Sequence, residues 1–205
     1  MRSPKAVAII IGLFILTTAG FYAVGHATRP MEDWSGQYIN RSTDPLEFSN
    51  AFHGIVLRAP EQGKWLLAWE PATFRFPNPP GVNKVLEIER ILPTDGSDTQ
   101  WARMDLFVQP VPRGTSAARV LRKLEFRRMR RGFCTVQEGQ EAVIGGEAGG
   151  IRVGQWAVGP TAFRSVAYHV LHDGKLFALI GVTQADASER FRPVFRAIAM
   201  DMRFD

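Results

Sequence analysis

Histidine and cysteine are the side chains through which this chain would most readily hold a metal, activate a nucleophile or move a proton, and it has four of the first and one of the second. His169 and His172 are three positions apart, a spacing that would let them share a metal on a helix. The segment around them reads as a strand, where positions three apart point to opposite faces, so no shared metal is expected. His26 and His53 have no ligand partners nearby in sequence and read as surface or interfacial residues. Cys134 alone can form neither an internal disulfide nor a cysteine-based metal site, and no base is arranged beside it in sequence, so it reads as a buried structural thiol. The glycine-rich run at 145–150, GGEAGG, lacks both the GxGxxG spacing and the Lys-Ser/Thr of a phosphate loop. No helix is expected after it, and a sheet corner or bulge is the better use of those glycines. There is no GxSxG elbow. The sequence therefore nominates no catalytic, cofactor-binding or metal-binding residue, and a non-enzymatic role is expected.

One segment rises above this background. Ser116 suits a helix N-cap, Ala117, Val120, Leu121 and Leu124 recur at helical spacing, and Gly132 can close the helix. Opposite that apolar side, Arg119, Lys123, Arg127 and Arg130 form a basic stripe, with Phe126 and Met129 outside the core-facing arc. Glu125 is the only acid between 116 and 131, so i,i+4 compensation is nearly absent. Arg119, Lys123, Phe126, Arg127 and Arg130 are the candidate partner-binding residues. The stripe is either a solvated face or a surface for acidic protein or anionic headgroups.

The composition bounds where such a helix works. The chain has 205 residues, 45% hydrophobic and 22% charged, which is ordinary for one globular domain. From Ala6 to Gly25 it reads AVAIIIGLFILTTAGFYAVG, a run without charge that at ~1.5 Å per residue spans a ~30 Å hydrocarbon core. Arg2 and Lys5 precede it, which places the N-terminus in the cytoplasm and the rest beyond the membrane. A cleaved signal peptide is the rival reading, with Gly25-His26-Ala27 as a weak site, but the apolar run exceeds the usual length of such a core. Beyond the anchor, 23 basic residues remain against 20 acidic, a net +3 that gives no case for nucleic acid. The expected layout is an anchor at 1–27, a tether at 28–50 and an extracytoplasmic domain at 51–205. The protein would then be a single-pass protein of the inner membrane, with its domain in the periplasm.

Within the domain, strands are predicted at 52–58 and 64–70, joined as a hairpin through Pro60 and Gly63. Trp65, Leu67 and Trp69 share one face of the second, which reads as core. Three prolines make 74–81 a rigid corner. Strands at 84–92 and 102–111 form an antiparallel pair, and Met104, Leu106 and Val108 alternate with Arg103, Asp105 and Phe107. After the basic helix come short strands at 133–136 and 141–144 around a polar turn, then 151–158, 162–171 and 176–183, with a tight Asp173-Gly174 hairpin turn. A last helix begins at Ser188 with Phe191, Val194 and Phe195 on its apolar face and continues through Ile198. The sum is an α+β fold, an antiparallel sheet with helices packed on it.

This order resembles the PsbP-like family, named for the extrinsic lumenal protein of photosystem II, and its bacterial membrane-anchored relatives. The resemblance covers about 72–205. It is carried by Phe76-Pro77 with Pro80-Gly81, Leu106-Phe107-Val108, the helix at 116–131, the Gly145-Gly146 junction, Asp173-Gly174-Lys175 and Phe195-Arg196-Ala197-Ile198. It implies a sheet sandwiched between helices and a non-catalytic role as accessory or assembly subunit of a membrane complex, photosynthetic or respiratory. The anchor and the strands before residue 72 depart from the photosystem protein. A ligand- or lipid-binding module associated with transport is the alternative, with Trp65, Trp69, Trp101 and Trp156 lining an apolar pocket.

Overall fold

The structure is a computed structural model that describes residues 36, 38–61, 64–70, 73, 83–111 and 134–205, with 134–139 as backbone only. The expected anchor at 6–25, His26, the proline-rich corner at 74–81 and the basic helix at 116–131 lie outside the described residues. Among the described residues no helix is long and apolar enough to cross a membrane.

Two antiparallel sheets and one α-helix make up the described domain. The strands are β1 (Glu47–Asn50), β2 (Ile55–Arg58), β3 (Trp65–Ala68), β4 (Lys84–Arg90), β5 (Ala102–Pro110), β6 (Cys134–Ile144), β7 (Glu147–Val158), β8 (Thr161–His172), β9 (Lys175–Gln184) and β10 (Arg203–Phe204), and the helix α1 is Ser188–Met200. The larger sheet has the order β3-β4-β5-β9-β8-β7-β6 and the smaller β1-β2-β10. The α+β reading thus holds in its sheet and its last helix.

The central strand explains the layering. In β9 every residue from Leu176 to Thr183 is buried, so both faces of the large sheet are covered there, and a continuous apolar run of this length is how such a strand reads in sequence. Phe177 and Leu179 join Met104, Leu106, Tyr168 and the inner residues of α1 in the main core. Ala178, Ile180 and Val182 join Phe107 in a second cluster on the opposite face.

Several expectations are corrected. The supposed tether at 28–50 reaches too far: β1 pairs with β2 through Phe48↔Leu57, and Phe48 is fully buried. Strands β2 and β3 do not form a hairpin. In β2 both ladders are already occupied, by β1 on one side and β10 on the other, so β3 pairs with β4 instead. The two short strands at 133–136 and 141–144 are one strand, β6, which absorbs the polar stretch between them in register shifts at 135–137 and 137–140 rather than in a turn. Of the glycine run, Gly145 and Gly146 take positive φ, 58° and 83°, as the two-residue turn between β6 and β7. Gly149 and Gly150 serve close approach: a Cβ on Gly149 would lie 2.4 Å from the His169 carbonyl oxygen, and one on Gly150 2.7 Å from the His169 ring.

His53 is buried at 2% exposure, not interfacial. Its N–H donates to Asn50 Oδ1 at 2.9 Å, and this turn folds its ring inward, edge-on to Phe52. Burial holds its imidazole down at about 4, with the Lys175 charge adding to the effect. His169 is likewise held at about 4, by burial first and by Arg152 second. Both rings are neutral in the fold, while the unfolded chain takes up protons below about pH 6.5, so stability falls as pH drops from there toward 4. Each histidine should contribute a loss of up to about 1.4 kcal/mol per pH unit in that window. Denaturant titration of the full chain in detergent at pH 7.5 and pH 5 checks this, and His169→Gln should flatten the difference. A stability that is flat across the window would contradict it.

Candidate functional site

Helix α1 is where sequence and packing place unspent charge. It is amphipathic: Phe191, Phe195, Ile198 and Ala199 are buried, while Arg190, Arg192, Pro193, Arg196 and Ala197 are exposed. Its inner face sits tightly on the sheet, since a Cβ on Gly181 of β9 would come within 2.4 Å of the Phe195 ring. Arg190 is fixed by Asp98 at 2.8 Å and by the Gln100 side-chain carbonyl at 2.8 Å. Asp98 also accepts from Arg90 at 2.5 Å. The hydrogen bond from Arg90 is the main reason the Asp98 carboxyl is held well below the usual carboxylate range.

Arg192 and Arg196 differ from Arg190. They lie one turn apart on the exposed side, and among the described residues neither has an acidic partner. Like charges at this spacing cost a helix about 0.2–0.5 kcal/mol. Both lie close enough to Tyr168 to oppose the effect of burial, which nevertheless pushes its phenol up to about 12. Beside Arg192 a small groove, open to solvent, runs between α1 and strands β7 and β8. Val153, Val166 and Phe195 line it, with Arg164, Glu189 and Arg192 around them. Arg164 Nη1 is 3.8 Å from Glu189 Oε1, and both side chains are substantially exposed.

A second charged group lies on the opposite face of the sheet, where β4 pairs with β5. Register sets Glu87 opposite Asp105 and Glu89 opposite Arg103. Lys84 Nζ donates to Glu87 Oε2 at 2.5 Å and lies 3.7 Å from Asp105 Oδ1, and Arg103 Nη2 is 3.2 Å from Asp105 Oδ2. Trp101 Nε1 donates to Glu89 Oε1 at 2.8 Å, and the Arg103 guanidinium is 5.3 Å from the Trp101 ring centroid. Lys84, Glu87, Glu89 and Asp105 are each at most 5% exposed. The Lys84 ammonium, shared between Glu87 of β4 and Asp105 of β5, ties the two strands together, and a register slip would separate these groups.

The candidates from sequence are distributed as follows. Arg119, Lys123, Phe126, Arg127 and Arg130 lie outside the described residues. His169 and His172 do face opposite ways: His169 pairs with Gly150 in the ladder, whereas His172 Nδ1 is 3.1 Å from Glu147 Oε1 and its ring stacks on Phe204 at 4.2 Å. The four tryptophans do not line one pocket. Trp65 is in the main core with Trp69 packed against that core, while Trp101 and Trp156 pack on the second cluster across the sheet. The Arg192–Arg196 pair was missed in sequence, although the wheel of RFRPVFRA sets those two arginines on one side once Phe191 and Phe195 are taken as core.

No protein family matches the chain by sequence, and no curated protein does. Solved structures do resemble it. The solution structure of cyanobacterial PsbP (CyanoP) from Synechocystis sp. PCC 6803 matches with a TM-score of 0.56 at 12% identity, over 78% of this chain and 91% of that one. LpqN, involved in cell envelope biogenesis of Mycobacterium tuberculosis, gives 0.47 at 15% identity, over 73% and 82%. Protein PA94 of Pseudomonas aeruginosa gives 0.46 at 15% identity, over 68% and 96%. The domain has a PsbP-like α+β fold.

Proposed function

We propose that this chain is a non-catalytic accessory or scaffold subunit, held in the inner membrane by residues 6–25, whose periplasmic domain docks onto a larger integral-membrane complex. The observation that carries the reading is the exposed pair Arg192 and Arg196, charge that the domain leaves without an acidic partner among the described residues. An exposed arginine pair stabilises nothing within its own helix, and its guanidinium forks suit carboxylates on another surface. The resemblance to PsbP-like proteins, implying an accessory subunit, supports the same role. The charge-free apolar run at 6–25 with Arg2 and Lys5 before it supports the address.

Two experiments test this. Protease added to spheroplasts should remove the domain and leave a small embedded fragment, whereas a mature chain beginning near Thr28 would remove the anchor from the account. Purification of the tagged full chain in gentle detergent should bring down an integral-membrane protein in stoichiometric amount. That association should weaken as salt rises, because exposed charges are screened beyond about 8–10 Å at 0.1–0.15 M. Recovery of the chain alone at low salt would contradict the role.

A further inference from the structure

We infer that the groove between α1 and strands β7 and β8 receives an extended acidic segment of a partner protein, with carboxylates on Arg164 and Arg192 in the groove and on Arg196 one turn further along the exposed side of α1, and an apolar side chain over Val153 and Val166. The inference rests on the docking role proposed above and names the partner's chemistry.

Three features of the site point to this occupant. The basic groups around it are all arginine, whose planar fork accepts a carboxylate through two parallel hydrogen bonds. They outnumber the one acid present, Glu189, which stands 3.8 Å from Arg164 and is 79% exposed. An incoming carboxylate can take over Arg164 while Glu189 swings into solvent. The groove is lined by Val153, Val166 and Phe195, so a segment alternating acidic and apolar residues would satisfy both parts of the site.

A membrane surface fits less well. A helix lying on anionic lipid presents large apolar side chains to the acyl boundary beside its basic ones. The large apolar side chains of α1, Phe191, Phe195 and Ile198, are committed to the core, and the exposed large hydrophobics among the described residues, Ile39, Leu66, Ile91, Leu92, Val143 and Val158, all lie on other elements.

The test uses the full chain in zwitterionic detergent micelles and the fluorescence anisotropy of a labelled peptide alternating glutamate and valine. Wild type should bind it, and the double variant R192Q/R196Q should bind about tenfold more weakly, with less dependence on salt. Glu189→Gln should act in the opposite direction, tightening binding about threefold by removing the competing carboxylate. Equal affinity in wild type and both variants overturns the inference. So does displacement of the peptide by micelles doped with phosphatidylglycerol, which would make the surface a lipid site. These failures leave the accessory role standing if the wild-type chain still co-purifies with its membrane complex, whereas absence of that complex removes the role itself.

Discussion

Replacing Lys84 with methionine should destabilise the domain by about 3–5 kcal/mol, the cost of removing one partner from a buried charge cluster. Lys84 is 1% exposed and lies between Glu87 and Asp105, which the register of β4 and β5 sets directly opposite each other. Without the ammonium, the Glu87 and Asp105 carboxylates face each other across the two strands with the cation between them gone. The double change Lys84→Met with Glu87→Met should cost less than Lys84→Met alone, because it removes one of the two facing carboxylates together with the lysine between them. Denaturant midpoints of the full chain in detergent measure all of this. A loss below about 1 kcal/mol would mean that the cluster is solvated rather than buried.

The second large effect concerns the seat of α1. Phe195→Ala should cost about 3–5 kcal/mol through lost burial and the cavity it leaves. Gly181→Ala should cost about 1–3 kcal/mol, because its methyl would press into the Phe195 ring. Combined, the two should cost less than their sum by about 1 kcal/mol, since the new methyl occupies space that the ring has vacated. Strict additivity would mean that the ring and the glycine are not in contact. Because the same ring lines the groove, a folded Phe195→Ala protein should also bind the acidic peptide poorly, which links the seating of α1 to its proposed use.

What could be read from the sequence was local. Alternation in Met104, Leu106 and Val108 marks β5, the Asp173-Gly174 turn fixes the β8–β9 hairpin with both residues at positive φ, and 3.6-residue spacing finds α1. Pairing over long distances could not be read in the same way. Nothing between Arg58 and Trp65 tells that β2 is already flanked by β1 and by β10 from the far C-terminus. The split of the tryptophans across two faces has the same origin, because it depends on which residues each sheet face meets. Irregular pairing hid β6, whose register shifts let a polar stretch remain in the ladder. The arginine pair on α1 was concealed by its neighbour: Arg190 looks equivalent in sequence, and only the fold shows that Asp98 engages Arg190 and not the other two.

The most direct measurement for the docking surface is photo-crosslinking in intact cells from Ala197→p-benzoylphenylalanine, an exposed position on α1 next to Arg196. Val158, exposed at the β7–β8 hairpin end, serves as the control site. A discrete crosslink is expected from position 197 to an integral-membrane protein, absent from position 158 and lost in the R192Q/R196Q background. Crosslinks from position 158 alone, or an unchanged adduct at 197 after the arginines are removed, would contradict it.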